Sequence, residues 1–254
     1  MKETKTIAVC GKGGVGKTSI TALIVKALSK YKDKKILAID ADPAIGLATA
    51  LGVEVKKTVN DIRNNLIVSI EQKETTDKVD TLHKLDYEMF NALGQNKNIG
   101  FLAIGRPEDE GCYCQLNSFL KGIIEDMANN FDYVVIDGEA GIEQINRRVM
   151  KTVNYLIVVS DTSAKGINVA NTIKHVAHDN KAVNYKSIGG ILNRVDDERK
   201  ITTLKTKLNI ELLGWIPEDN LVHDFDFYSK SFIEFPDASM TYRVIEEILA
   251  RIEN

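Results

Sequence analysis

The chain has 254 residues, 44% hydrophobic and 27% charged, with a formal net charge of -3 and three cysteines. This composition suits a globular fold with a sizeable core and supplies no global basic field to recruit nucleic acid or anionic lipid; an odd cysteine count argues against a disulfide framework and for a reducing cytoplasm. No apolar run reaches the ~18 residues of a membrane span, and Met1-Lys-Glu-Thr-Lys runs straight into a predicted strand, which leaves no room for a signal peptide, so a cytoplasmic protein is expected.

Short apolar runs predict strands at Thr6–Cys10, Lys35–Asp40, Ile99–Ile104, Asp132–Asp137, Asn154–Ser160, Ser187–Asn193 and Leu212–Ile216. Several are almost continuously hydrophobic, as parallel strands covered on both faces are. Helices are predicted between them, at Ser19–Tyr31, Asn117–Asn129, Gly166–Asn180 and Met240–Ile252. The alternation predicts a single α/β domain over 1–254, with a doubly wound, mostly parallel sheet of about seven strands and ligands at the carboxyl ends of the strands. Residues 53–98 break the rhythm. They are polar, charged and free of proline, and read as an insertion of helices and loops outside the sheet, either a solvated decoration or an edge that faces a partner.

The first strand is followed by Cys10-Gly11-Lys12-Gly13-Gly14-Val15-Gly16-Lys17-Thr18-Ser19, and Gly11–Thr18 fits the phosphate-cradling loop G-x-x-x-x-G-K-[ST]. Its glycines let consecutive N–H groups converge on a phosphate, and the helix that follows adds its positive end. Lys17 is expected to neutralise the β- and γ-phosphates and the Thr18 hydroxyl to ligate Mg²⁺. Lys12 is a second lysine ahead of the usual one. The second strand ends Asp40-Ala41-Asp42-Pro43; Asp40 and Asp42 share a side of an extended chain, placed for magnesium-bound water and the attacking water, with capping of the next helix at Pro43 as the competing reading.

Between the third strand and the next helix stands Gly111-Cys112-Tyr113-Cys114-Gln115. A helix N-terminus favours the thiolate that binds metal. Two sulfurs leave a tetrahedral site incomplete, and a two-fold dimer would bring four together for Zn²⁺ or Ni²⁺. Buried small side chains, a redox dithiol and an iron–sulfur cluster shared between protomers are the competing readings. The fourth strand closes on Asp137, positioned to bind Mg²⁺ through water, and Gly141 beyond it offers an N–H to a γ-phosphate, which would make the segment a switch. Asn193 closes a later strand with an amide suited to an adenine edge, although an Asn at a strand end is by itself more often a turn residue. His175 and His178 lie three apart on a predicted helix and read as solvated. Cys10 is expected to pack under the phosphate loop.

Lys12-Gly-Gly-Val-Gly-Lys-Thr18, together with Asp40-Ala-Asp42-Pro43 and Asp137-Gly-Glu-Ala-Gly141, resembles the MinD/ParA/nitrogenase-reductase class of ATPases over nearly the whole chain. The resemblance implies ATP hydrolysis to ADP and phosphate, a homodimer that closes on ATP, Lys12 acting across it on the partner's phosphates, Asp42 positioning water, and Asp40 holding magnesium indirectly. The base-pocket roles of Asn193 and of Pro217, which closes the last strand, also lean on it. Within the class, Gly-Cys-Tyr-Cys and Ala140-Gly-Ile-Glu143 resemble the CooC/AcsF group, ATPases that serve carbon monoxide dehydrogenase and acetyl-CoA synthase. That likeness implies nickel or zinc held by Cys112 and Cys114 at the dimer interface, with a nickel enzyme as client.

Two other readings belong to the same class. A membrane-bound organiser needs a basic C-terminal helix, but Tyr242–Asn254 sets Glu246, Glu247 and Glu253 against Arg243 and Arg251. DNA partition needs a basic patch; neither nucleic acid nor membrane is expected as a partner. An electron-donating reductase needs a cysteine near Gly141, and there is none after Cys114.

Overall fold

The computed structural model describes residues 3–72, 78–106, 114–139, 145, 149–179 and 184–253, and only the backbone of 70, 71, 78–83, 114, 115 and 179. Its described strands form one sheet: β1 (Lys5–Gly11), β2 (Ile36–Asp40), β3 (Gly94–Asn96), β4 (Ile99–Ala103), β5 (Tyr133–Asp137), β6 (Thr152–Ser160), β7 (Asn184–Val195) and β8 (Leu212–Pro217). The order across the sheet is β3-β4-β2-β5-β1-β6-β7-β8, with every pairing parallel except β3 with β4. The described helices are α1 (Lys17–Ser29), α2 (Gly46–Leu51), α3 (Val59–Glu71), α4 (Lys78–Ala92), α5 (Cys114–Ala128), α6 (Ala164–Asp179), α7 (Ile201–Lys207), α8 (Asn220–Phe227) and α9 (Met240–Glu253). None of them is long and apolar enough to cross a membrane.

Alternate strand residues feed two separate cores, because successive side chains on a strand point to opposite faces. Leu37, Ile39, Val134, Ile136, Leu156 and Val158 pack with α3, α4, α5, α6 and α7. Ile36, Ala38, Val135, Ile157 and Val159 pack with α1, α2, α8 and α9. Burial on both faces is what makes these strands continuously hydrophobic in sequence. On α9, Val244, Ile245, Ile248 and Leu249 recur at helical spacing and fill the second core, beside a cluster of Phe225, Phe232 and Phe235. Asp219 caps α8 through the Leu221 N–H at 2.9 Å and accepts the Thr241 hydroxyl at 2.6 Å, so one carboxylate ties α8 to the first turn of α9.

Two expectations need correction. The stretch 53–98 is not wholly outside the sheet, because Gly94–Asn96 pairs antiparallel with β4 at its edge. A glycine and two amides closed by Lys97 at φ 54° give no hydrophobic alternation to detect. The fifth helix starts at Cys114 rather than near Asn117, so Cys114 is its first residue instead of preceding it.

The strand order reverses around β1. The chain passes from β1 to β2 on one side and from β5 across to β6 on the other, which places a crevice at the carboxyl ends of β1, β2 and β5.

Candidate nucleotide site

The parallel register puts Asp40 directly beside Asp137 and Val9 beside Asp137, so the ends of three central strands meet at the loop Gly11–Thr18. Gly16 precedes α1 in a left-handed conformation, φ 89°, and a Cβ there would stand 2.5 Å from Asn193 Nδ2. Only glycine satisfies both demands. Helix α1 has no side-chain cap and no acidic residue in its first turn, so its leading N–H groups face the loop without a competing anion.

Lys17 is buried, and its Nζ donates to the Lys12 carbonyl at 3.4 Å, a long bond that is readily exchanged for a phosphate oxygen. The Thr18 hydroxyl donates to Asp137 Oδ2 at 2.6 Å, and the Thr21 hydroxyl reaches Oδ1 at 3.2 Å. Burial pushes the Asp137 carboxyl up to about 6, against the pull of Thr18, Lys17 and Thr21. Asp40 is pushed higher, to about 7, first by burial and then by the charge of Asp137, although the Leu47 and Asp42 N–H groups stabilise its carboxylate. Two buried carboxylates held this close repel each other, and a cation between them would relieve that. Thr18, Asp137 and Asp40 therefore form a donor set that fits magnesium.

Asp42 is half-buried at the mouth of the crevice, where its carboxylate accepts the Ala44 N–H at 2.9 Å. The turn continues through Ile45, a β-branched residue at φ 53° that packs against the second core. The Lys12 ammonium points along the surface to Asp161 Oδ2 at 2.9 Å. Burial acts to raise the Asp161 carboxyl, but hydrogen bonds from Ser163 and Lys12 outweigh it and hold the group below the usual carboxylate value. Sequence reasoning missed Asp161. The available signal was its position just past a strand end, as for Asp42.

Asn193 sits behind the loop with its Nδ2 donating to the Val15 carbonyl at 2.8 Å, so in this structure its amide braces the phosphate loop. Arg194, at φ 56°, adds a bond from Nη1 to the Gly14 carbonyl at 3.0 Å. Pro217 ends β8 beside Val195, two residues past Asn193 on the neighbouring strand. Gly11, Gly13, Gly14, Val15, Ser19 and the residues above thus gather at one rim, with Val15 and Ser19 buried. Cys112 and Gly141 lie outside the described residues; Cys114 begins α5. His175 and His178 are exposed on α6, and Cys10 is fully buried, its thiol pushed up to about 12 mainly by that burial.

Residues 6–232 match the CobQ/CobB/MinD/ParA nucleotide binding domain. An uncharacterized ATP-binding protein of Methanocaldococcus jannaschii is 39% identical over 98% of both chains. The carbon monoxide dehydrogenase accessory protein CooC of Rhodospirillum rubrum is 27% identical, covering 87% of this chain and 86% of its own. The septum site-determining protein MinD of Pyrococcus horikoshii, solved with Mg-ADP, shares the fold at a TM-score of 0.71 and 20% identity, covering 99% of this chain and 97% of that one.

Proposed function

The chain is a P-loop ATPase belonging to the CobQ/CobB/MinD/ParA nucleotide-binding family, and from that premise we propose that it is a dimerising metal chaperone which couples ATP turnover to nickel delivery into a carbon monoxide dehydrogenase or acetyl-CoA synthase. One observation carries the reading. The connection bearing Cys112 and Cys114 leaves the sheet from β4, whose continuation is bonded to the nucleotide side: the Ile104 N–H donates to the Asp40 carbonyl at 2.8 Å. The chain thus enters the connection that carries the C-x-C pair from a residue bonded to the end of β2, at Asp40. The likeness to CooC supports the same choice of client. The alternative of a membrane organiser has less support, since the apolar stripe of α9 is already buried in the second core.

In this reading Lys17 gives up the Lys12 carbonyl for the β- and γ-phosphate oxygens, and the leading N–H groups of α1 share that charge. Thr18, with Asp137 and Asp40 through water, would hold Mg²⁺, which supplies neutralisation of the phosphate charge. Lys12 leaves Asp161 to meet the phosphates of a second protomer. Asp42 orients the attacking water; ATP and water become ADP and phosphate. Cys112 and Cys114 of both protomers bind nickel, or zinc in its stead, as cargo while the dimer is closed, and opening releases it.

Anaerobic titration with Ni²⁺ and Zn²⁺, with and without ATP and read alongside oligomeric state, tests this. One metal per two chains, bound more tightly with ATP and lost in Cys112→Ser/Cys114→Ser, is the expected result. Absence of binding under both conditions would overturn it. A brown anaerobic preparation with four irons per dimer would favour the reductase reading instead.

A further inference from the structure

Helix α3 grips both chain segments that border 107–113. At its start, the Asn60 N–H donates to the Ile104 carbonyl at 3.0 Å and Asn60 Nδ2 to the Arg106 carbonyl at 2.6 Å. One turn later, Arg63 Nε donates to Asn117 Oδ1 at 2.9 Å, with Arg63 only 7% exposed. Asn117 lies on α5, three residues after Cys114.

The start of α3 is itself tightly specified. Thr58 and Asp61 bond reciprocally, Thr58 N to Asp61 Oδ2 at 2.8 Å and Asp61 N to Thr58 Oγ1 at 3.1 Å, a capping box. Against it lies Gly105 at φ 80°, where a Cβ would stand 2.5 Å from Thr58 Oγ1. The exit from β4 and the entry to α3 are interlocked.

The same hydrogen bonds continue to the phosphate side. Asp40 accepts the Asp42 and Leu47 N–H groups through its carboxylate and the Ile104 N–H through its carbonyl, and Ile104 in turn accepts from Asn60. A contiguous path therefore runs from Asp42 to α3 and on to α5. Its members are strand ends and helix caps, which move as units rather than deforming smoothly.

We propose that α3 is the strut through which the state of the Asp40–Asp42 segment reaches the helix that begins at Cys114, with Asn60 and Arg63 as its positioning residues. Asn60 holds the incoming chain and Arg63 the outgoing helix. The planar guanidinium fixes a direction that a flexible ammonium would not. The inference rests on the proposed role for Cys114, and its test uses no metal.

In a Cys112→Ser background, Cys114 is the thiol to follow, because Cys10 is fully buried. Its alkylation rate by a small maleimide is measured at one pH with ADP and with a non-hydrolysable ATP analogue. The two rates should differ by about fivefold or more, the lower end of ordinary coupling between sites. Arg63→Leu and Asn117→Leu should bring the ratio close to one, Asn117→Asp should preserve it by keeping the acceptor, and ATP turnover should stay within about twofold in all three, since none touches the phosphate site. Asn117 is exposed, so its variants remain informative if Arg63→Leu does not fold. A ratio retained in the Leu variants, or a ratio of one in the background itself, would overturn the strut. Metal titration of the unsubstituted protein decides the chaperone reading separately.

Discussion

The phosphate loop and the α3–α4 hairpin sit at opposite extremes of preorganisation. Around the loop, Lys12, Lys17, Thr18, Asp40, Asp42, Asp137 and Asn193 each have an intramolecular partner before any ligand arrives. On α4, Tyr87 and Phe90 are 66% and 70% exposed, and α3 adds Val68 at 47%. The difference shows where change is tolerated. At Gly11 and Gly16 the loop leaves no room for a Cβ, while the hairpin, beside the residues it buries, presents Val68, Tyr87 and Phe90 as side chains that neither core covers.

The largest effect that would sharpen this contrast is at Lys17. Lys17→Ala should weaken nucleotide binding by about 100-fold, since a hydrogen bond to a charged group contributes roughly 1.5–3 kcal/mol. Calorimetric titration with ATP checks it, and near-normal affinity would break the comparison. Next comes Lys12→Ala, which should keep nucleotide affinity while ATP turnover falls about tenfold or more, as for loss of a finger-type charge. Calorimetric titration and a phosphate-release assay measure both halves, gel filtration reads the ATP-dependent dimer, and full turnover with an unchanged dimer would remove the trans role. Where the exit from β4 meets the start of α3, Gly105→Ala should destabilise the fold by about 1–3 kcal/mol through its left-handed backbone and its clash with Thr58. Urea unfolding reads that cost, and the affinity for ATP should be spared.

The smallest expected effect is a pH slope. Asp137 at about 6 and Asp40 at about 7 both lie above the 3.8 of an unperturbed aspartate, so the folded chain holds protons that the unfolded chain has released. Their stabilising contribution is complete below about pH 4 and is lost as pH rises through 6 and 7. The wild-type urea midpoint minus that of Asp40→Asn, followed from pH 5 to 8 without nucleotide, should fall with pH. A difference that rises or stays flat would contradict the buried pair.

Much of the fold was legible because β1, β2, β4, β5 and β6 are covered on both faces and so read as apolar runs. The phosphate site was legible for a related reason: glycine, lysine and strand-terminal acids are demanded by local geometry at fixed spacing. β3 was not, since a glycine and two amides are held there by pairing with β4 and by the Asn96 bond to the Leu51 carbonyl, neither of which leaves an apolar pattern. Nor was Asp161, whose meaning comes from Lys12, 149 residues away in the chain. Asn193 shows a further limit. A strand-end amide signals polar recognition, but only the fold reveals that its donor braces Val15. The start of α5 was misplaced because no capping signal separates Cys114 from Asn117.

Ile45 extends the picture in a different direction. A β-branched side chain at φ 53° holds its backbone in a conformation that costs on the order of 1–3 kcal/mol, and it does so next to Asp42. The cost is offset by packing of the same side chain against the second core. The turn is thus loaded like a latch: a return to ordinary backbone at Ile45 would re-aim the side chain that now rests on that core. Ile45→Gly would keep the turn and discard the latch, and the conformational freedom of the Asp42 segment would then no longer be tied to how firmly α2 is packed.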